Sequence, residues 1–228
     1  MGSVTRDAPV SIRLLSREDA QPDVLSEEER ARLATFTSES RRLEFVLGRT
    51  AARTLIAEAQ NSDPRDAGLA VNADGAPVVL ASPLYLSIAH TGGREVWGGA
   101  AIARQPVGLD LERIRPRQPA LWRRILSEDE HPMLDALGGP TDEAQTLLWS
   151  LKESVLKARR TGLRAGMRSV TLTHVDADHL SGEATASDGG AWRLGFERRG
   201  DLWVSWALSE GGGAEEQGRR GDEEGRDF

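Results

Sequence analysis

The sequence predicts an α+β fold made of two similar halves, each with helices packed on a small antiparallel sheet, related by a pseudo-two-fold. Three observations predict it. Apolar residues at helical spacing open each half, and short strand-like runs close it. Turn signals such as Asp74-Gly75 and Arg199-Gly200-Asp201 sit beside those strand runs. Gln105-Pro106 makes a seam near the middle of the chain. The halves are therefore placed at 1–105 and 106–208, although no sequence repeat is visible. The remaining stretch, 209–228, is rich in Gly and charge with almost no apolar residues, and reads as a disordered tail.

Taken in order, VSIRLL at 10–15 alternates like a first strand. Ser26 and Glu29 form an S-x-x-E capping box opening a short helix with Leu33 and Phe36. A longer helix over 39–59 carries Leu43, Leu47, Ala51 and Leu55 at four-residue spacing. NSDPRDAG (61–68) is a loop, and strands follow at 69–72, 76–80, 84–89, 95–103 and 107–112. In the second half a helix near 120–126 follows Pro116 and Pro119. A second box, Ser127 with Glu130, opens 128–137, which Gly138-Gly139-Pro140 ends. Asp142 is read as the cap of a long helix to about Arg160, and strands are placed at 169–175, 191–198 and 202–208.

Composition narrows the function classes. At 228 residues, with 39% hydrophobic and 29% charged, the chain is long enough to bury a real core. It has no cysteine, which excludes disulfides, thiol catalysis, zinc fingers and iron–sulfur clusters. No apolar run approaches the roughly 18 residues of a membrane span. The start, MGSVTRDAPVSIRLL, lacks the basic-then-apolar layout of a signal peptide, so a cytoplasmic protein is expected. A net charge of −7 argues against a nucleic-acid partner.

Four constellations carry chemistry. In VGLDLERIR, alternation puts Val107, Leu109 and Leu111 toward the core and projects Asp110 and Glu112 together from the other face. Two carboxylates so placed suit one hard cation, Mg²⁺ best, while Gly108 leaves room for a ligand or another backbone. The same triplet reads equally as an exposed strand face with two solvated acids. In WSLKESVLKARR, Leu147, Leu148, Leu151 and Val155 make a buried stripe, and Trp149, Glu153 and Lys157 lie four apart on another line with Lys152 beside them. Glu153 there is either a third metal ligand or general base, or half of a plain ion pair with Lys157. LSIAHTGG at 86–93 delivers His90 at a strand end beside Gly92-Gly93, fit for an anion or for an ordinary turn. Arg42, Arg49 and Arg53 fall within about 20° of one helix face, a stripe for a polyanion or for solvent. HVDADH (174–179) has metal-ligand residue types in what reads as a polar loop after a strand. No P-loop, dinucleotide fingerprint, H-E-x-x-H or G-x-S-x-G is present.

Taken together, SIAHTGG, then Gly108-Leu109-Asp110-Leu111-Glu112, then Trp149-Ser150-Leu151-Lys152-Glu153-Ser154-Val155-Leu156-Lys157 resemble the Sfp-type 4′-phosphopantetheinyl transferases. The family pattern is G-[IVL]-D-x-E followed by [FW]-[SC]-x-K-E-[SA]-x-x-K, and the resemblance covers roughly residues 25–175. It implies a two-half, monomeric enzyme of the holo-[acyl-carrier-protein] synthase type. Such enzymes move the phosphopantetheine arm of coenzyme A to a serine of an apo acyl, polyketide or peptidyl carrier protein and release adenosine 3′,5′-bisphosphate. It implies Mg²⁺, with Mn²⁺ as the alternative, on Asp110, Glu112 and Glu153. Asp110, Glu153 and Lys157 become the catalytic set, and Arg49, Arg53, His90, Lys152 and Lys157 the coenzyme A contacts. Glu130 falls where a family acid sits near the site. Two departures stand out: Gly75-Ala76-Pro77 has alanine where many relatives have Lys or Arg, and Ala89 replaces a hydroxyl residue before the histidine. The basic run Arg113, Arg115, Arg117, Arg123 and Arg124, with Leu121 and Trp122, is read as the surface that docks an acidic carrier. The competing readings are a Mg²⁺-dependent phosphodiesterase and a non-catalytic coenzyme A- or carrier-binding module.

Overall fold

The structure, a computed structural model, describes residues 9–93, 95–160 and 166–211. The greater part of the tail read as disordered, 212–228, lies outside the described residues. Two antiparallel sheets and two long helices organise the chain. The first sheet has the order β1 (Ser11–Leu15), β5 (Trp97–Ala103), β4 (Tyr85–Thr91). The short pair β2 (Leu69–Val71) and β3 (Pro77–Val79) forms a separate hairpin. The second sheet runs β6 (Val107–Arg113), β10 (Leu202–Ser209), β9 (Ala191–Arg199), β8 (Ser181–Ala186), β7 (Val170–Asp176). The α+β class expected from the sequence is therefore the class observed, with sheets of unequal size.

Helix α1 (Glu27–Ala34) opens on the predicted capping box: Ser26 Oγ accepts from Glu29 N–H while the Glu29 carboxylate accepts from Ser26 N–H. Helix α2 (Glu39–Gln60) buries Leu47, Ala51 and Leu55 against the first sheet, which they share with Leu86, Ala100 and Ile102. Its close seat depends on Gly98 in β5, where a Cβ would lie 2.5 Å from that of Leu47. Asn61, left-handed at φ 54°, ends the helix.

In the second half, α3 (Pro119–Ile125) precedes the Ser127–Glu130 box, which opens a 3₁₀ turn (Glu128–Glu130) running into α4 (His131–Ala136). Helix α5 (Asp142–Ala158) is capped by Thr141, whose hydroxyl accepts from Ala144 N–H. This corrects the reading of Asp142 as cap: Asp142 is the first helical residue, and a carboxylate there favours the positive helix end. Strand β8 escaped the sequence reading because SGEATA has no large β-branched or aromatic residue. It alternates all the same, burying Gly182, Ala184 and Ala186. His174 and Asp176, read as loop, belong to β7.

The sheets stack through one apolar layer. Val107, Leu109 and Leu111 of β6 and Val204 and Leu208 of β10 pack with Ala89, Ala101 and Ala103 of the first sheet. Ser87 of β4 also joins the sheets, its Oγ accepting from Leu109 N–H at 2.9 Å. The opposite face of β6, expected to be open, is covered by α5. Among the described residues no helix is long and apolar enough to cross a membrane.

Candidate active site

The site forms where the end of β6 emerges from under α5. Asp110 is only 5% exposed, yet both its oxygens are engaged. Oδ2 accepts from Ser150 Oγ at 2.7 Å, and Ser150 Oγ in turn lies 2.7 Å from Ser205 Oγ. Ser205 stands directly across from Asp110 on β10, so helix, strand and neighbouring strand together hold this carboxylate. Oδ1 accepts from Lys157 Nζ at 2.8 Å. Two residues on, Glu112 accepts from Arg117 Nη2 at 2.5 Å.

Glu153 completes the acidic group. Burial first, and then the Asp110 and Glu112 carboxylates, push its carboxyl up to about 7, against the pull of Lys157 and Arg117. Burial and Asp110 likewise raise Glu112 above the usual carboxylate range. Three acids from two distant stretches thus act on one another. They lean on Lys157 and Arg117, and among the described residues no three Asp, Glu or His are drawn tightly enough to hold an ion as they stand.

Helix α5 shows why these residues and not their neighbours face the site. It is buried almost all round, and the half-buried positions Gln145, Trp149, Glu153 and Lys157 follow one another at four-residue spacing along its open line. Lys157, 32% exposed, reaches over the acids with its ammonium at the rim. Lys152 does not join them. Its side chain is 1% exposed, and Nζ donates to Glu130 Oε2 at 2.7 Å and to Ile125 O at 2.9 Å. Glu130, wholly buried, also accepts from Ser127 N–H at 2.7 Å and Leu172 N–H at 2.8 Å. Lys152, expected among the coenzyme A contacts, and Glu130, expected near the site, neutralise each other in the core between α5, the 3₁₀ turn and β7.

A cavity of about 230 Å³ opens beside His90, lined among others by Arg41, Glu44, Phe45, Arg49 and Pro77. Arg49 stacks over Phe45 at 5.2 Å, its Nε stands 3.6 Å from Glu29, and its Nη1 is buried with no hydrogen-bond partner. Burial works against the charge on that guanidinium and Glu29 supports it. His90 Nδ1 lies 3.3 Å from Glu44, and burial lowers the imidazole's pKa while Glu44 opposes the shift. Arg41 closes the same acid with a 2.8 Å bond. The basic stripe is thereby redrawn. Arg53, 2% exposed, turns inward to Glu29 and to the carbonyls of Pro64, Arg65 and Ala67, and Arg42 caps Leu33 O. Arg53, expected among the coenzyme A contacts, is thus engaged within the fold. Arg41, absent from the sequence reading, takes its place at the cavity; one turn before Phe45 and two before Arg49, it had a signal in its spacing.

The predicted docking run is also split. Arg113 is tied to Asp201 at 2.5 Å and to the carbonyls of Gly92 and Glu95, Arg117 to Glu112, and Trp122 is buried against Trp149. Arg115, Arg123 and Arg124 remain exposed.

The site thus joins a strand-borne acid pair, a helix-borne acid and lysine, and a cavity lined by Arg41 and Arg49. Residues 106–207 match the model of the 4′-phosphopantetheinyl transferase superfamily. A 4′-phosphopantetheinyl transferase of Bacillus subtilis is 28% identical over 181 residues, 78% of either chain. The 4′-phosphopantetheinyl transferase Sfp of Bacillus subtilis (strain 168) is 27% identical over 164 residues, 65% of this chain and 71% of the relative. Enterobactin synthase component D of Salmonella typhi is 37% identical over 101 residues, 43% of this chain and 42% of the relative. Over residues 106–207 the chain is thus similar to the 4′-phosphopantetheinyl transferase superfamily, and the similarity to the first of these relatives extends over most of its length.

Proposed function

We propose that this enzyme transfers the 4′-phosphopantetheine arm of coenzyme A to a serine hydroxyl of an apo acyl, polyketide or peptidyl carrier protein. Adenosine 3′,5′-bisphosphate leaves as the serine oxygen–phosphorus bond forms and the pyrophosphate bridge breaks. One observation carries this reading: Asp110, Glu112 and Glu153 crowd the same partly buried spot, with Lys157 over them and the Arg49–His90 cavity beside it.

The three acids fit a hard divalent ion, Mg²⁺ or Mn²⁺. All are oxygen donors, and burial together with mutual repulsion holds Glu112 and Glu153 above their ordinary pKa, a strain that a dication relieves. Bound there, the ion supplies neutralisation of the pyrophosphate. Lys157, more exposed than Arg117, would leave Asp110 for a phosphate oxygen. Glu153, beside Lys157 on the open line of α5, would take the serine proton directly or through water. Arg41 and Arg49 both line the cavity whose turn carries Ala76, so two guanidiniums stand there for the nucleotide phosphate without a lysine at 76. On this reading the enzyme works as a cytoplasmic monomer divided at Gln105-Pro106, and an acidic carrier docks near Arg115, Arg123 and Arg124.

The test is the mass of an apo carrier after incubation with the protein, coenzyme A and Mg²⁺. One phosphopantetheine arm should be gained. Loss of coenzyme A with no gain in carrier mass would instead mean a phosphodiesterase, and no change in either a binding module. Asp110→Ala should cut transfer by at least about a hundredfold, as removal of a charge-stabilising group in such a site does, with an unchanged circular dichroism spectrum. Wild-type turnover in that variant would contradict the assignment.

A pH dependence follows from Glu153. Its proton stabilises the metal-free fold fully below the ordinary carboxylate value of 4.5, and that contribution is lost as pH rises through about 7. Above that pH the ionised acid is a cost which Mg²⁺ offsets. The rise in Tm on adding Mg²⁺ should therefore be larger at pH 8 than at pH 6. A scanning-calorimetry series showing the reverse order would remove Glu153 from the metal set.

A further inference from the structure

The loop leaving β6 carries a cation that the transfer chemistry leaves unassigned. Arg117 Nη2 donates to Glu112 Oε1 at 2.5 Å, and its guanidinium carbon stands 4.6 Å over the ring of Trp149. The side chain is 13% exposed, and its Nε is buried with no partner. Trp149 is itself fixed by Trp122 of α3, edge to face at 6.3 Å. Trp149 and Glu153 share the open line of α5, so the guanidinium is clamped between an acid of the site and the ring one turn from another.

A cation in salt-bridge contact with a carboxylate competes with any other cation for that carboxylate. The competition is strong here because both partners are largely desolvated and stacking on an indole holds the guanidinium further in place. The unpartnered Nε adds a cost of staying, which release to solvent removes. Lys157 faces the same choice at Asp110, but its side chain is less buried and among the described residues no ring stacks on it.

We propose that Arg117 is a stand-in cation. It holds Glu112 until a divalent ion arrives, is displaced from Glu112 and from the Trp149 ring as the ion enters, and so sets the divalent affinity of the site. This rests on the reading of Asp110, Glu112 and Glu153 as an ion site. The consequence for the enzyme is ordered loading: the acids stay paired and the site stays shut to stray cations until the dication concentration is sufficient.

The experiment is a Mg²⁺ titration of the full chain without coenzyme A, followed by calorimetry and by tryptophan fluorescence. Wild type should bind Mg²⁺ with a change in fluorescence that Trp149→Phe removes. Arg117→Ala should bind about fivefold to tenfold more tightly, the scale of one partly screened ion pair, and should show no such change. Arg117→Gln, which keeps the stem and its packing, should move affinity in the same direction, guarding against a variant that fails to fold. Equal or weaker binding in Arg117→Gln would overturn the stand-in role while leaving the ion site intact. No Mg²⁺ binding by wild type would overturn both. A fluorescence change that persists in Trp149→Phe would also defeat the proposal, because the displaced ring contact is its central feature.

Discussion

Gly108→Ala is expected to unfold the protein or to leave it without activity. A Cβ at this position would stand 1.8 Å from Ser154 O and 2.6 Å from Ala158 N. Both are backbone atoms of α5, so no rotamer can move aside. Overpacking in a core typically costs about 1–3 kcal/mol and sometimes more, and a clash between two backbones belongs at the upper end or beyond. Against a total stability of about 5–15 kcal/mol that loss is severe. The function goes with it, because lifting α5 from β6 carries Glu153 and Lys157 away from Asp110. Urea unfolding of the variant should show a midpoint far below wild type, or no soluble protein. A Gly108→Ala protein of wild-type stability would mean that helix and strand do not meet at this glycine.

Lys152→Ala is the second large effect, and it separates a structural lysine from a phosphate-binding one. The substitution leaves the Glu130 carboxylate wholly buried without its counter-charge. Breaking a buried pair by removing one partner costs about 3–5 kcal/mol. Lys152→Met combined with Glu130→Gln should recover much of this. The amide oxygen keeps an acceptor for Ser127 or Leu172, and no charge remains to be buried. Chemical denaturation of the two variants should show that recovery. Stability close to wild type in Lys152→Ala, with weakened coenzyme A binding, would return Lys152 to the site.

Lys152 also shows how the sequence is best read. Leu148, Lys152 and Leu156 are four apart, so Lys152 lies on the buried side of α5 by spacing alone. Its place in the W-S-x-K-E-S pattern drew it instead to the chemistry of Glu153. Arg53 repeats the lesson on α2: a seven-and-four spacing put it near Arg42 and Arg49, but it sits on a helix whose Ala52, Leu55 and Ile56 are buried around it. Periodicity finds which residues share a face. It does not say how much of that face is covered, which depends on what packs there from remote chain segments.

The acids illustrate the converse. Alternation in VGLDLER put Asp110 and Glu112 on one side of a strand, and four-residue spacing put Trp149, Glu153 and Lys157 on one line; both local patterns hold in the structure. Nothing in either segment says that the two meet. That required α5 to cross β6 at Gly108, and Ser205, on β10 and outside every motif, to close the Asp110 network.

By itself the sequence determined what is local: the α+β class, the caps at Ser26 and Thr141's helix start to within a residue, and the acid and lysine periodicities. These follow from backbone geometry and side-chain spacing, which are properties of short segments. Tertiary structure alone decided which charges are withdrawn into the core against one another and which stay within reach of solvent. Lys152 with Glu130 and Arg53 with Glu29 are withdrawn into the core, whereas Glu153 and Lys157 stay half-buried on the open line of α5. The physical reason is desolvation: a charge taken out of water must find its partner wherever the chain brings one, and that partner lies dozens of residues away.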